Sequence, residues 1–321
     1  GIAGSLTLVG VGELIATSVI PKWFVRWRGR ALAVATVGNP VAGMLVAPVL
    51  ALVIVRYGWQ AGWWLLGLVV LLLAAPASLL MRRTPEAMGL LPDGDVPGAA
   101  QAARAGGRHR PEEVQWTPSE AVRTPAFWLL LSAFSLGAMA VGGVVLHEFA
   151  FLTDRGLDTA VAAGVLTTHA AGAAVARFVW GSLADRFPVR FVVTVLFLGS
   201  ATGLLILLNV RTAPVAFAFA VVYGLSVGGY AVVNAMTWAN YFGRQFIGTI
   251  RGMTMPAQLL SVSSGPVLAG FLFDLTGQYT APFAMFLASY VLSGVLFLVI
   301  KPPTRRVAAQ AGAAPAPPRP P

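Results

Sequence analysis

Apolar runs about 20 residues long recur along the chain, separated by short charged turns. Coiled as a helix, a run of that length crosses the hydrocarbon core of a bilayer. Nine such segments fall near residues 1–20, 31–55, 60–81, 125–149, 159–183, 189–209, 213–242, 253–274 and 282–300. Composition agrees: of 321 residues, 57% are hydrophobic and 11% charged, against roughly 25% charged in a soluble domain. The expected fold class is an all-α, multi-pass membrane protein whose main partner is the lipid bilayer. A polar stretch, 82–123, separates three spans from six. The predicted parts are thus residues 1–81, the loop 82–123, residues 124–300 and a Pro/Ala-rich disordered tail, 301–321.

The net charge of +10 raises the question of a nucleic-acid partner. Its distribution answers it. Lys22, Arg26, Arg28, Arg30, the arginines of 82–123, Arg186, Arg190, Arg244, Arg251 and the cations of 301–321 occupy alternate loops. The opposite loops hold Arg56, Arg155 and Arg211. That bias places the central loop and the C-terminus in the cytoplasm and Gly1 outside, and no nucleic acid is needed to explain it. There is no cysteine, so disulfides, thiol chemistry and Cys-ligated metals are excluded, and no cofactor or metal is expected. The chain starts at Gly1 inside an apolar run with no basic leader, and it reads as a piece of a longer protein. Within the central loop, "TPSEAVRTPAFW" (117–128) predicts a short interfacial helix, with Thr117 as N-cap, Pro118 at the first position and Glu120 completing a capping box.

Phe24, Arg26 and Pro48 have counterparts in Phe242, Arg244 and Pro266, all offset by 218 residues. Each set joins a basic loop to a span with a mid-helix proline. Parallel repeats of this kind are a transporter architecture. The offset puts the start of the first repeat roughly 90 residues before Gly1, room for three more helices and a total of twelve.

"GSLADRFPVR" (181–190) resembles the cytoplasmic G-x-L-A-D-R-x-G-R-K/R motif of the major facilitator superfamily: Gly181, Leu183, Ala184, Asp185, Arg186 and Arg190 match, while Pro188 and Val189 depart. "EAVRTPAFW", and "FGRQFIGTIRG" followed by "GPVLAGFLFDLTGQY", resemble the oxalate/formate antiporter and monocarboxylate transporter branches. The resemblance implies that the nine spans are helices four to twelve of that fold. It implies that Gly181, Asp185, Arg186 and Arg190 form a gating motif linking neighbouring helix ends. It also implies that an arginine in the eighth helix, matched by Arg177, holds the substrate carboxylate. The monocarboxylate branch's aspartate one turn earlier is Ala173 here, and the eleventh-helix lysine of the oxalate transporter has no counterpart in 253–274, where Gln258, Ser261, Ser263 and Ser264 are the polar residues. A single carboxylate or a polar neutral molecule is therefore expected in preference to a dicarboxylate.

Physical reasoning also singles out Arg177. It lies about 12 Å along its helix from Asp185. A charge at such depth is costly and faces the bundle interior or a wet cavity. This helix runs from outside to inside, and side chains lean toward a helix's N-terminus, so Arg177 points to the midplane and away from a snorkelling position. A structural ion pair is the competing role. The small residues from Ala170 to Ala176 allow close packing around it.

Other polar residues in spans are further candidates. Glu13 is an intramembrane carboxylate, a proton site or a cation's partner. His169, two turns outward of Arg177, is a proton carrier or substrate contact. His147 and Glu148 read as an interface or gate pair with a possible share in proton coupling. Asn39, Asn234, Tyr230 and Gln258 are candidate cavity lining. Pro40, Pro48, Pro256 and Pro266 mark kinks.

The expected function is secondary active transport of a small organic anion, by proton symport or antiport, by a monomer in a bacterial inner membrane. An exporter of drugs or neutral solutes on the same fold is the alternative. A prenyltransferase-like membrane enzyme using Asp154 and Asp158 is the alternative of another class. "GLSVG" (224–228) lacks the strand–turn–helix setting of a nucleophile elbow. "GVGELI" (10–15) lacks the third glycine of a dinucleotide fingerprint.

Overall fold

The computed structural model describes residues 13–80, 82, 84–95 and 114–304. Most of the expected 1–20 span, much of the central loop and the tail beyond Thr304 lie outside the described residues, as do the side chains of Glu13, Asn39, Pro40 and Pro48. The helices are α1 (Glu13–Trp23), α2 (Arg28–Leu80), α3 (Pro118–Ala121), α4 (Pro125–Asp154), α5 (Thr159–Arg186), α6 (Val189–Leu208), α7 (Ala213–Val227), α8 (Tyr230–Phe242), α9 (Ile247–Thr276) and α10 (Thr280–Val299).

Six stretches among the described residues are long and apolar enough to cross a membrane: Pro125–Asp154, Thr159–Arg186, Val189–Leu208, Ala213–Phe242, Ile247–Thr276 and Thr280–Val299. They coincide with the last six expected spans. Two more expected spans, 31–55 and 60–81, lie along α2, which is two helices meeting end to end at Gly58 (φ 82°, ψ 168°). That positive φ suits glycine, which lacks the Cβ that penalises the conformation.

The expected span 213–242 is one membrane-length stretch interrupted at its middle: α7 and α8 meet at Gly228 and Gly229, both of which keep right-handed helical angles. Hydropathy does not register the break because both glycines sit in apolar sequence. The reason for it is close approach: a Cβ on Gly228 would overlap the backbone of Ala173, and one on Gly229 the ring of Trp180. Trp180 Nε1 in turn donates to the Leu225 carbonyl at 2.7 Å.

Local chemistry sets the other boundaries. Thr117 and Glu120 form the expected capping box, although α3 is a single turn of four residues. Asp158 caps α5 by accepting from the Ala160 amide at 2.7 Å. Gly277, in the left-handed region, closes α9.

Helices α4 to α10 form one bundle in which α4 packs on α9 and α10, α6 on α7 and α10, and α5 on α7. Its core is aromatic: Phe134, Phe197 and Phe297 are fully buried, and the Phe134 ring meets Phe297 edge-on at 5.1 Å. Backbone contact is closest between α4 and α9. Pro266 has no N–H to give the Val262 carbonyl, four residues earlier in its helix. That oxygen faces Gly142, where an added Cβ would overlap it, and a Cβ on Gly265 would likewise overlap the Met139 carbonyl. Small residues are what lets helices approach this closely where hydrophobic burial supplies no net drive.

Gly142→Val should therefore lower stability by roughly 1–3 kcal/mol, the range for overpacking, seen as a fall in the melting temperature of detergent-purified protein. Gly270→Ala is the control, because its added methyl meets nothing within 4 Å. Equal melting temperatures for the two would contradict this packing.

Candidate functional site

Helices α1 and α2 meet the bundle of α4 to α10 through α2 against α5 and α8, and α1 against α9. The α2–α5 seam begins at the arginine-rich end of the molecule. The first amides of a helix have no partner within it and carry the positive end of its dipole. Asp185, near the end of α5, meets those of α2: its Oδ1 accepts from the Gly29 amide at 2.6 Å and its Oδ2 from the Arg30 amide at 3.1 Å. Gly29 lies directly on Gly181, and a Cβ on either would overlap or crowd the other's carbonyl. Gly181 and Asp185 of the GSLADR motif thus act on one neighbouring helix. The amides bonded by Asp185 are those of α2, more than 150 residues away, and not those of the following helix α6. The motif arginines do not share in this link in the present conformation: Arg186 is exposed and Arg190 stacks on Phe191 at 4.5 Å.

Three more contacts close the same end. Buried Arg28 donates from Nη1 to Asn240 Oδ1 at 2.7 Å. Arg244 donates to the Lys22 carbonyl at 2.9 Å and pairs with Glu86 at 2.8 Å. Sequence reasoning placed Arg28 and Arg244 in basic loops and gave them no partner. The only signal was the repeat that set Arg244 opposite Arg26, and Arg26 also pairs with acidic residues, Asp93 and Asp95.

Arg177 lies on the same seam, two turns outward of Asp185. It is half-buried, and its Nη1 donates to the carbonyl of Thr36 in α2 at 2.7 Å. Small residues set α5 deep enough for this: Gly172 lies against Gly224 of α7, and Ala173 against Gly228. The guanidinium therefore sits at the junction of α2 with the bundle.

His169 faces elsewhere. It is 6% exposed, and its Nδ1 lies 3.0 Å from both carboxylate oxygens of Glu148, itself 2% exposed. The pair is enclosed in the bundle, with the Tyr223 ring 5.1 Å from the imidazole and Phe219 beyond it. The Tyr223 hydroxyl bonds that of Tyr290 at 2.8 Å. His169 is thus turned away from Arg177 into the bundle. His147 and Glu148, expected as an interface or gate pair, meet different partners, because consecutive residues on a helix do not face each other. His147 instead meets the Pro266 carbonyl at 3.1 Å and the Tyr279 hydroxyl at 3.3 Å.

Among the expected lining residues, Asn234 and Gln258 come together, amide to amide at 3.1 Å. Tyr230 gives its hydroxyl to the Phe134 carbonyl at 2.6 Å, and its ring packs on Phe134 and Phe197. The side chains of Glu13 and Asn39 are outside the described residues. Asp158 is committed to its helix cap and Asp154 ends α4, which leaves the enzyme reading without a paired-carboxylate site.

Comparison with known proteins agrees with this architecture. The family model of the Major Facilitator Superfamily matches residues 2–168 and again 143–320. Human monocarboxylate transporter 11 is 31% identical over 298 residues, covering 88% of this chain and 57% of its own length. The 3-(3-hydroxy-phenyl)propionate transporter of Escherichia coli K12 is 27% identical over 246 residues, covering 76% and 56%. The chain thus spans a little over half the length of these relatives. A crystal structure of the E. coli fucose:proton symporter superposes with a TM-score of 0.66 at 12% identity, covering 90% of this chain and 73% of that one. That likeness concerns the fold alone. These relatives are transporters and not enzymes, and the chain belongs to the Major Facilitator Superfamily.

Proposed function

We propose that the full-length protein carrying these residues is a secondary active transporter of a small organic anion of the monocarboxylate class. In this reading the chain supplies helices four to twelve of twelve, and the basic end lies in the cytoplasm of a bacterial inner membrane. The observation that carries the reading is Arg177: a half-buried guanidinium, at the junction of α2 with the bundle, two turns from a closed end. A cation in that position recognises a carboxylate by charge-assisted hydrogen bonds. The relatives named for monocarboxylates and for an aromatic propionate support the substrate class. Asn234 and Gln258 supply polar lining, and Gly181 and Asp185 gate.

Protons couple through Glu148 and His169. Buried ionisable groups in a span mark proton relays, and a carboxylate bonded to an imidazole holds or releases one proton with little movement. His147, on the Pro266 carbonyl, and Glu13 are secondary candidates.

The test is uptake of labelled lactate, pyruvate, formate, oxalate and an aromatic acid into proteoliposomes, with and without an inward proton gradient. One acid should be taken up, and Arg177→Gln should reduce its uptake by roughly 30-fold or more, since losing one member of a desolvated charged contact costs at least ~2 kcal/mol. Uptake unaffected by Arg177→Gln would move this residue to a structural role. The double variant Glu148→Gln/His169→Gln removes both buried charges together and avoids stranding one. It should exchange substrate at near the wild-type rate yet lose stimulation by the gradient; intact stimulation would place coupling elsewhere. Asp185→Asn removes a charge–dipole contact worth up to ~2 kcal/mol. It should slow transport and raise labelling of cysteines placed near the basic end.

A further inference from the structure

The acceptor that Arg177 uses has a specific origin. Thr36 is followed, four residues later in α2, by Pro40. In an α-helix each carbonyl accepts from the amide four residues on, and proline has no amide hydrogen. The Thr36 carbonyl is therefore left open by the covalent chemistry of residue 40, and it is this oxygen that Arg177 takes at 2.7 Å. The threonine hydroxyl does not compete, because it donates one turn back to Leu32 at 2.8 Å. Helix α5 does the same nearby, where Trp180 takes the Leu225 carbonyl just before the Gly228–Gly229 break of its neighbour.

We propose that the Thr36 carbonyl, opened by Pro40, is a resident stand-in for the substrate's carboxylate. With the site empty, Arg177 docks on it through Nη1, which ties α5 to α2 above the Asp185 contact. An incoming anion takes the guanidinium in exchange, and that releases one of the ties holding the basic end shut. Pro40 thereby sets anion affinity without touching the anion: it supplies an internal competitor. The same exchange keeps the empty carrier closed and loosens the loaded one. This inference rests on the reading of Arg177 as the anion contact.

The test is Pro40→Ala in the full-length protein. Alanine favours helix and returns an N–H to residue 40, which would occupy the Thr36 carbonyl within its own helix. Lactate binding is measured by calorimetry, with the neutral lactamide as control. These 321 residues hold no cysteine, so, with any cysteine in the rest of the full-length protein replaced, spin labels at Trp27→Cys and Phe187→Cys, both exposed, report the width of the basic end. With the competitor gone, Pro40→Ala should bind lactate about tenfold more tightly, the equivalent of one lost hydrogen bond of ~1.4 kcal/mol. Its ligand-free distances should broaden toward those of lactate-bound wild type. Arg177→Gln should broaden them too, but bind lactate weakly. Unchanged or weaker lactate binding by Pro40→Ala, or ligand-free distances equal to wild type, would overturn the exchange. If wild type bound no lactate while both variants broadened the distances, the anion reading itself would fall, and with it the exchange, leaving a plain structural tie.

Discussion

The carboxylate of Asp185 on the open amides of α2 is the contact on which the rest of the seam depends. It joins two parts of the chain that otherwise touch through small residues, a few arginines and apolar side chains such as Leu32 and Ile20. A helix N-terminus offers two amides and a partial positive charge at a fixed place, and Asp185 reaches it because Gly181 and Gly29 let the two backbones lie against each other. Seating Asp185 also registers α5 against α2. With that register set, Arg177 falls opposite Thr36 and Arg28 opposite Asn240. A carboxylate bonded to amides at a helix end is strong enough to hold a closed state. It is also single enough to be released by a modest free-energy change, which is what a gate requires.

The bundle of α4 to α10 is built differently. Many of its glycines lie against carbonyls and aromatic rings, and several of its polar groups are paired within it: Glu148 with His169, Tyr223 with Tyr290, Tyr230 with a main-chain carbonyl. Breaking a buried ion pair one-sidedly costs several kcal/mol, so the Glu148–His169 pair is expected to persist as a unit while the seam opens and closes. The molecule thus separates a densely packed interior from a junction held by fewer polar contacts. Carbonyls next to proline or a glycine break supply acceptors, that of Thr36 at the junction and that of Leu225 within the bundle, since bilayer depth tolerates unsatisfied backbone only where something else satisfies it.

Much of this was legible in the sequence, for reasons that differ by element. The spans and their alternation of charge are written in composition, because the bilayer imposes one length and one sign rule on every helix. The Gly58 junction was visible as the gap between the runs 31–55 and 60–81, marked by Arg56. The capping box at Thr117 and Glu120 was legible because it is local. The break at Gly228–Gly229 was not: it answers to Ala173 and Trp180 on another helix. Asp185 was marked by its motif, but its partner was not, because the partner is a backbone without a side-chain signature. The separate partners of His147 and Glu148 follow from a simple rule, as neighbours one residue apart do not share a face. Glu148 and His169 sit on different helices, and only packing reveals that they meet.

The central claim is that an anion site lies at Arg177, open to one side while the Asp185 end is shut. The most direct measurement uses a single cysteine at Ala174, half-buried one turn outward of Arg177, in full-length protein in proteoliposomes. A membrane-impermeant thiol reagent should label it from the side opposite the basic loops, and millimolar carboxylate, but not the matching amide, should slow that labelling. Labelling at the same rate with and without carboxylate, or only from the basic side, would contradict the account.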